Sequence, residues 1–587
     1  MQTKTILNEI NSPNDVKKLS VEEMNILASE IRNGILNRVN TIGGHLGPDL
    51  GIVEAIIAMH YVFNSPIDKF VFDVSHQIYP HKMLTNRKRG FISKNAAELF
   101  SITGYSNPNE SEHDNFIIGH TSTSVSLAMG IAKARDLKNE NYNVIALIGD
   151  GSLSGGEAFE GLNNAGCLGS NFIVIVNDNE MSIAENHGTL YKNLEELRKT
   201  NGESQNNFFK TLGYKYHYVE NGNDTSSLIE AFKKVKDTSA PVVIHIHTLK
   251  GKGYKPAETN KENYHWRLSG FLNNDKKDNT VYESYNSITK DFILDKHSKK
   301  EPISVIVAGT PGVFEFNGEF RNSLGKNYTD VAIAEPHAVA FASALAKNGA
   351  KPILSLTSSF IQRTYDQLSQ DLALNNSPAA ILVHWGGISS MDMTHLGVFD
   401  IPLVSNIPNI VYLAPSNKEE YLAMLEYAYN QSNRPIAIRV PFYPLVKSGI
   451  EDKTDYSVLN KFDMINQGDT IAIIAVGHFM KLGYEIKEEL GKENINPTLI
   501  NPKFLTGIDE NMLNNLKINH KLVITLEDGV LDGGFGEKIS RYYSNCNTKV
   551  LNFGAKKEFT DRASLNELYK RYHLTKELII EDIHKNI

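Results

Sequence analysis

The chain has 587 residues, 41% of them hydrophobic and 22% charged, with a formal net charge of −8 at pH 7. That length predicts three or four domains with several buried cores. The acidic balance excludes a partner held through a basic surface, such as nucleic acid or an anionic membrane. Only two cysteines occur, Cys167 and Cys546, in no CxxC or metal-ligand spacing. A reducing, cytosolic location is therefore expected and a disulfide framework is not. The N-terminal stretch "MQTKTILNEINSPNDVKK" lacks the apolar core of a signal peptide. No apolar run reaches the roughly 18 residues of a membrane span.

Up to about residue 270, helix-length segments alternate with short apolar runs: "FVFDVSHQ", "NVIALIGDG", "NFIVIVNDN" and "APVVIHIHTLKG". Runs this short, β-branched and apolar on both faces predict parallel strands covered by helices. The polar stretch "NNDKKDNTVYESYNSITKDFILDKHSKKEP" reads as a linker, with a boundary near residues 275–300. A second alternating unit follows, with "ISVIVAG", "DVAIAE", "KPILSLTSSF", "AAILVHWGG", "NIVYLAPS" and "PIAIRVP"; a third has "DTIAIIAVGH", "PTLINPKFL", "HKLVITLEDG" and "TKVLNFG". The prediction is an α/β protein of three tandem, doubly wound domains with mainly parallel sheets: residues 1–285, 300–455 and 461–587.

The strongest local signal is "IALIGDGSLSGGEAFEGLNNAGCLGSNFIVIVNDNEMSI". Asp150 ends one predicted strand and Asn179 ends the next. In a right-handed βαβ unit the two carboxyl ends lie together. One carboxylate and one amide oxygen there suit Mg²⁺, which keeps other positions for water and phosphate. Gly149 and Gly151 let the backbone approach a phosphate, and the following helix N-terminus favours an anion. Either triplet alone reads as a plain turn or strand end.

GDG followed at this distance by an Asn-rich strand end is similar to the thiamine-diphosphate signature. The longer stretches "GGHLGPDLGIVEAIIAMHYVF", "DVSHQIYPHKMLTNR", "SEHDNFIIGHTSTSVSLAMGIA", "KGKGYKPAE", "DVAIAEPHAVAFASALA", "SSFIQRTYDQLSQDLAL" and "MTHLGVFD" resemble, in order and over nearly the whole chain, the 1-deoxy-D-xylulose-5-phosphate synthase family of the transketolase superfamily. The resemblance implies a transketolase-like fold with thiamine diphosphate and Mg²⁺ as cofactors. It also implies a homodimer whose active sites each lie between the first two domains of one chain. Asp150, Asn179 and the backbone carbonyl of Met181 would hold the metal. His76, Gly119, His120, Thr121, Gly151, Ser152, Asn179, Tyr254, Glu335 and Phe360 would contact the cofactor. His45, His265 and His395 match histidines at the reacting centre, where imidazole exchanges protons near neutral pH.

Glu335 matches the carboxyl that faces the cofactor's aminopyrimidine nitrogen and favours the tautomer that activates the thiazolium carbon. The implied reaction decarboxylates pyruvate and ligates the two-carbon unit to D-glyceraldehyde 3-phosphate. Pro336 stands where the family pattern AEQHA has Gln.

Other departures gather at the acceptor end. "HWGG" stands for the family's DRAG and "VPFY" for YPRG, so two phosphate-binding arginines fall at Trp385 and Phe442. The family Tyr of YSTF falls at Thr357, and the loop from Asn186 to Phe208 is shorter than usual. Arg363, Asp392 and His395 remain as substrate-binding candidates. Each charge-assisted hydrogen bond is worth roughly 1.5–3 kcal/mol, so losing both arginines costs roughly 3–6 kcal/mol unless a nearby Lys or another Arg, such as Arg439 or Arg321, replaces them. The family's acceptor thus competes with a second expectation: a related carboligase or transketolase-type enzyme acting on an unphosphorylated or bulkier aldehyde. A degenerate, non-catalytic paralogue is disfavoured by the intact set His45, His76, His120, Asp150, Asn179 and Glu335. In the third domain, "LVITLEDGVLDGGFGEKI" admits a metal or phosphate site, but a structural role is the favoured reading.

Overall fold

The computed structural model of the chain describes residues 5–272, 283–560 and 562–587. Two compact units are present, Met1–Thr280 with Ala332–Ala334, and Val281–Val331 with Glu335–Ile587.

After two short helical turns the first unit forms the long helix α1 (Val21–Ile42), started by a capping box in which the Ser20 side chain accepts from Glu23 N and the Glu23 carboxylate from Ser20 N. Five strands follow: β1 (Lys69–Phe72), β2 (Val144–Gly149), β3 (Phe172–Asp178), β4 (Lys215–Val219) and β5 (Pro241–His247). They order as β1-β2-β3-β5-β4, all parallel. β3 is buried along its whole length, as a central parallel strand covered on both faces must be. Helix α2 (Ser124–Leu137) and helix α3 (Gly156–Ala165) pack apolar stripes onto the sheet through Val125, Ala128, Ala132, Ala158 and Leu162. The edge strand β4 carries Tyr and His in place of a continuous aliphatic run, and the sequence reading missed it. In the shortened loop stands helix α4 (Thr189–Lys199).

The second unit holds two sheets. One has β6 (Ile303–Val307), β7 (Tyr328–Asp330), β8 (Lys351–Thr357), β9 (Ala380–Gly386), β10 (Val411–Leu413) and β11 (Ile436–Pro441). Its order is β10-β11-β9-β8-β6-β7, again all parallel. The other has β12 (Asp463–Asn466), β13 (Thr470–Ala475), β14 (Thr498–Asn501), β15 (His520–Val530) and β16 (Lys549–Ala555), ordered β12-β14-β13-β15-β16 with only β12 antiparallel.

The α/β class with mainly parallel sheets is as expected. Two local readings are corrected. Part of the supposed linker is helix α5 (Tyr285–Ser298), which buries Tyr285, Ile288, Phe292 and Ile293. Its apolar spacing of three and four is a helical stripe that the surrounding charge obscured. The rest of that stretch, 273–282, lies outside the described residues. "DVAIAE" is a strand only at Asp330; its Glu335 begins helix α6 (Glu335–Lys347).

Candidate active site

β2 and β3 are parallel neighbours, with Gly149 opposite Asn177. Asp150 and Asn179 therefore emerge side by side from adjacent strand ends, and Asp150 N donates to Asn177 O at 3.0 Å. Both are buried. The Asn179 Oδ1 has no hydrogen-bond partner, a costly state for a buried carbonyl oxygen unless a ligand satisfies it. The Asp150 Oδ2 accepts from Asn186 Nδ2 at 2.7 Å. Burial, and then the negative Asp178, hold the Asp150 carboxyl well above the usual carboxylate range. A cation at this point would reverse that balance. Asp178 faces elsewhere, accepting from Arg198 and from His245 Nε2. Met181 lies two residues beyond Asn179, in an isolated antiparallel bridge with Glu185.

Among the described residues, no group of three or more His, Cys, Asp or Glu side chains is arranged to hold a metal ion. The expected set differs in kind, being one carboxylate, one amide and one backbone carbonyl. Gly151 is fixed by close approach: a Cβ there would stand 2.7 Å from Ser182 Oγ. Gly151 and Ser152 open a 3₁₀ turn that leads into α3. Gly119, His120 and Thr121 lie just ahead of α2. At the start of that helix Asp73 accepts from Ser122 N at 2.8 Å and from Ser124 N at 2.9 Å.

Three predicted histidines converge. Gly44–His45 pairs antiparallel with Trp266–Arg267, which sets His45 beside His265. Ring centroids are 5.3 Å apart for His45 and His76, 5.5 Å for His45 and His265, and 5.5 Å for His76 and His265. The Nδ1 atoms of His76 and His265 have no hydrogen-bond partner. Desolvation and then Lys250 push both rings below the usual imidazole range, so both are neutral at pH 7. Tyr254 packs its ring on Tyr264 at 5.8 Å, next to His265.

In the second unit Glu335 is buried, its Oε2 without a hydrogen-bond partner and 3.8 Å from Arg363 Nη1. Burial raises its pKa and Arg363 opposes the rise. Pro336 falls in the first turn of α6, where the missing N–H costs nothing, so the departure leaves the helix intact. Phe360 follows β8, and its ring lies 5.7 Å from that of His395. The His395 Nδ1 is 2.9 Å from Thr394 Oγ1. Asp392, on the same loop, is gripped by Arg562.

Three family models match in tandem: 1-deoxy-D-xylulose-5-phosphate synthase at residues 7–207, the transketolase pyrimidine binding domain at 295–442, and the transketolase C-terminal domain at 460–579. The 1-deoxy-D-xylulose-5-phosphate synthase of Clostridium tetani is 36% identical over 97% of this chain and 98% of its own. That of Dictyoglomus thermophilum is 37% identical over 98% of each. The chain belongs to the 1-deoxy-D-xylulose-5-phosphate synthase family. Among solved structures, the transketolase of Campylobacter jejuni is similar at 16% identity and a TM-score of 0.44, over 96% of this chain and 99% of its own.

Trp385 and Phe442, the two positions where the resemblance puts phosphate-binding arginines, are neighbours. They meet edge to face, centroids 5.7 Å apart. Neither of the two arginines proposed as replacements is available. Arg439 is buried and committed to Asp400, Nε to Oδ2 at 2.6 Å, and to Asp528. Arg321 is buried with Nη1 on Phe316 O at 2.7 Å. Glu527 and Asp528 are committed within the fold: Glu527 accepts from Phe535 N at 2.9 Å and Gly536 N at 2.8 Å, and Asp528 holds Arg439.

Three residues that contact the candidate residues of their own unit were not foreseen. Asn186 orients Asp150. Lys250 is buried with Nζ on Ser182 O at 2.5 Å, and desolvation lowers its pKa to about 7. Arg562 grips Asp392. "KGKGY" gave a signal for Lys250, being a lysine at the end of an apolar strand; Arg562 gave none.

Proposed function

We propose that the chain is a thiamine-diphosphate-dependent transferase that decarboxylates pyruvate and ligates the two-carbon unit to an aldehyde. Members of its family make 1-deoxy-D-xylulose 5-phosphate in this way, with D-glyceraldehyde 3-phosphate as acceptor. The observation that carries the reading is the strand-end pair Asp150 and Asn179, with a buried Asn179 oxygen that lacks a partner. The cradle at Gly151 and the open Nδ1 atoms of His76 and His265 fit the same group; in the second unit the open Glu335 oxygen suits the carboxyl role that the family gives it.

Asp150, Asn179 and the Met181 carbonyl would hold Mg²⁺, which prefers hard oxygen ligands and keeps sites for phosphate. His76, Gly119, His120, Thr121, Gly151, Ser152 and Tyr254 would contact the cofactor, and Phe360 would pack on its pyrimidine ring. The cofactor, when bound, supplies the electron sink for decarboxylation. Glu335 would present Oε2 to the pyrimidine nitrogen, where burial favours its protonated form and Arg363 opposes it. His45, His76 and His265 pass protons near the reacting carbon. His395, oriented by Thr394, and Asp392, oriented by Arg562, face the acceptor with Arg363.

A second acceptor is supported by a specific observation: Trp385 and Phe442, which the resemblance aligns with two arginines, form an aromatic pair, and Arg439 and Arg321 are committed elsewhere. The donor half is tested by carbon dioxide release from pyruvate with D-glyceraldehyde 3-phosphate and with free aldehydes, with and without thiamine diphosphate and Mg²⁺. No cofactor-dependent release with any aldehyde would refute the reading. Family membership supports a homodimer, testable by sedimentation. The free cysteines Cys167 and Cys546 support a cytosolic location.

A further inference from the structure

At the carboxyl ends of β9 and β11 lies a cavity of about 650 Å³, walled by His384, Trp385, Pro441, Phe442, Tyr443 and Leu445. A volume of that order suits a small organic molecule. The same strand ends carry the candidate acceptor residues. Thr357, ahead of Phe360, pairs with His384. Ser358 Oγ donates to Trp385 O at 3.0 Å. The loop leaving β9 carries Asp392 and His395.

The wall is apolar and strained. Trp385 has φ +63°, in the left-handed region, where the register between β9 and β11 shifts. A bulky residue persists there only when its surroundings over-determine it, and such outliers cluster at ligand sites. Only two lining residues are charged, Glu283 and Lys447, and they pair with each other at 2.6 Å. Glu283 also pairs with Lys418. His384 is buried against Phe314, ring centroids 4.6 Å apart, and its Nε2 has no hydrogen-bond partner. This surface offers facing aromatic rings, with Ser284 and Asn286 as its neutral polar groups. Glu283 is shared between Lys447 and Lys418, so the rim keeps one positive charge, but no arginine is among the described lining residues to grip a phosphate through a planar fork.

We propose that this cavity seats the distal group of an uncharged aldehyde, aromatic or branched aliphatic, and that Trp385 and Phe442 set the preference. The inference rests on the carboligase reading above. It names the acceptor class that the aromatic pair selects.

Trp266 and Trp385 are the only tryptophans, so Trp266→Phe leaves Trp385 as the sole reporter. In that full-length protein, benzyl alcohol should shift Trp385 emission at a concentration at least tenfold lower than glycerol 3-phosphate does. Phe442→Ala should weaken the benzyl alcohol response about tenfold. In turnover with pyruvate, kcat/KM for benzaldehyde should exceed that for D-glyceraldehyde 3-phosphate. Trp385→Arg combined with Phe442→Arg should reverse the order. If that double variant does not fold, Phe442→Arg alone should narrow the gap at least tenfold. An equal or stronger response to glycerol 3-phosphate would overturn the inference. So would a wild-type preference for the phosphorylated aldehyde, while the carboligase reading stood. Absence of cofactor-dependent carbon dioxide release with every aldehyde would overturn that reading and the acceptor assignment with it.

Discussion

Arg562 forks onto Asp392 across 170 positions of sequence, Nε to Oδ1 at 3.0 Å and Nη2 to Oδ2 at 2.9 Å. The contact ties the loop that follows β9 to a residue that follows β16. A planar guanidinium fixes both carboxylate oxygens at once, which a lysine cannot do. Asp392 is mostly buried beneath it, so its orientation is set by Arg562 more than by solvent.

Removing that fork should free Asp392 to rotate. A charge-assisted pair is worth about 1.5–3 kcal/mol, a factor of roughly ten to a hundred. Arg562→Ala should therefore lower kcat/KM for the aldehyde by about that factor, mostly through KM. Arg562→Lys should recover only part of the loss. Steady-state kinetics with aldehyde varied at saturating pyruvate would measure both; equal activity of Arg562→Ala and wild type would refute the role.

Glu335→Gln keeps the shape of the side chain and removes the transferable proton. General acid–base groups contribute about 10²–10⁴-fold to rate, so kcat should fall by at least about 10²-fold. Thiamine diphosphate affinity, followed by calorimetry, should change far less. A variant retaining most of its turnover would show that Glu335 is a helix-start residue without a chemical role.

The sequence foretold the parallel strands because each is a short apolar run, buried on both faces. It foretold Asp150 and Asn179 because both sit at strand ends, where topology alone brings side chains together. Resemblance foretold the histidines; the ladder joining Gly44–His45 to Trp266–Arg267 is too short to carry a pattern of its own. Edge strands β4 and β12 were missed, since an edge half open to water loses the continuous apolar signal. Asn186, Lys250 and Arg562 act through contacts between distant segments, which periodicity does not encode. The commitment of Arg439 to Asp400 and Asp528 was equally invisible, and it decides that Arg439 is not a spare phosphate ligand.

Asn186 is the residue through which the shortened loop reaches the metal candidate. Its amide donates to Asp150 Oδ2, and Tyr191 of α4 donates to Gly151 O at 3.2 Å. Outer partners of this kind typically change metal affinity about 10–100-fold. Asn186→Ala should raise the Mg²⁺ concentration for half-maximal activity by about that factor, and saturating Mg²⁺ should restore kcat. An unchanged Mg²⁺ titration would place Asn186 outside metal binding.

Glu527 should make stability depend on pH in an unusual direction. It is fully buried, and desolvation pushes its pKa from 4.5 up to about 7, against the opposing amides of Gly536 and Phe535. Between those values the folded chain binds a proton at Glu527 that the unfolded chain has released. Stability from this group is therefore full below about pH 4.5 and falls as pH rises to about 7. A shift of this size is worth about 3 kcal/mol. Glu527→Gln cannot titrate. Its loss of one acceptor is a constant offset that leaves the pH slope untouched. Urea midpoints at pH 5 and pH 8 should show wild type losing stability relative to Glu527→Gln as pH rises. Parallel pH profiles for the two proteins would mean that Glu527 is ionised in the fold at both pH values.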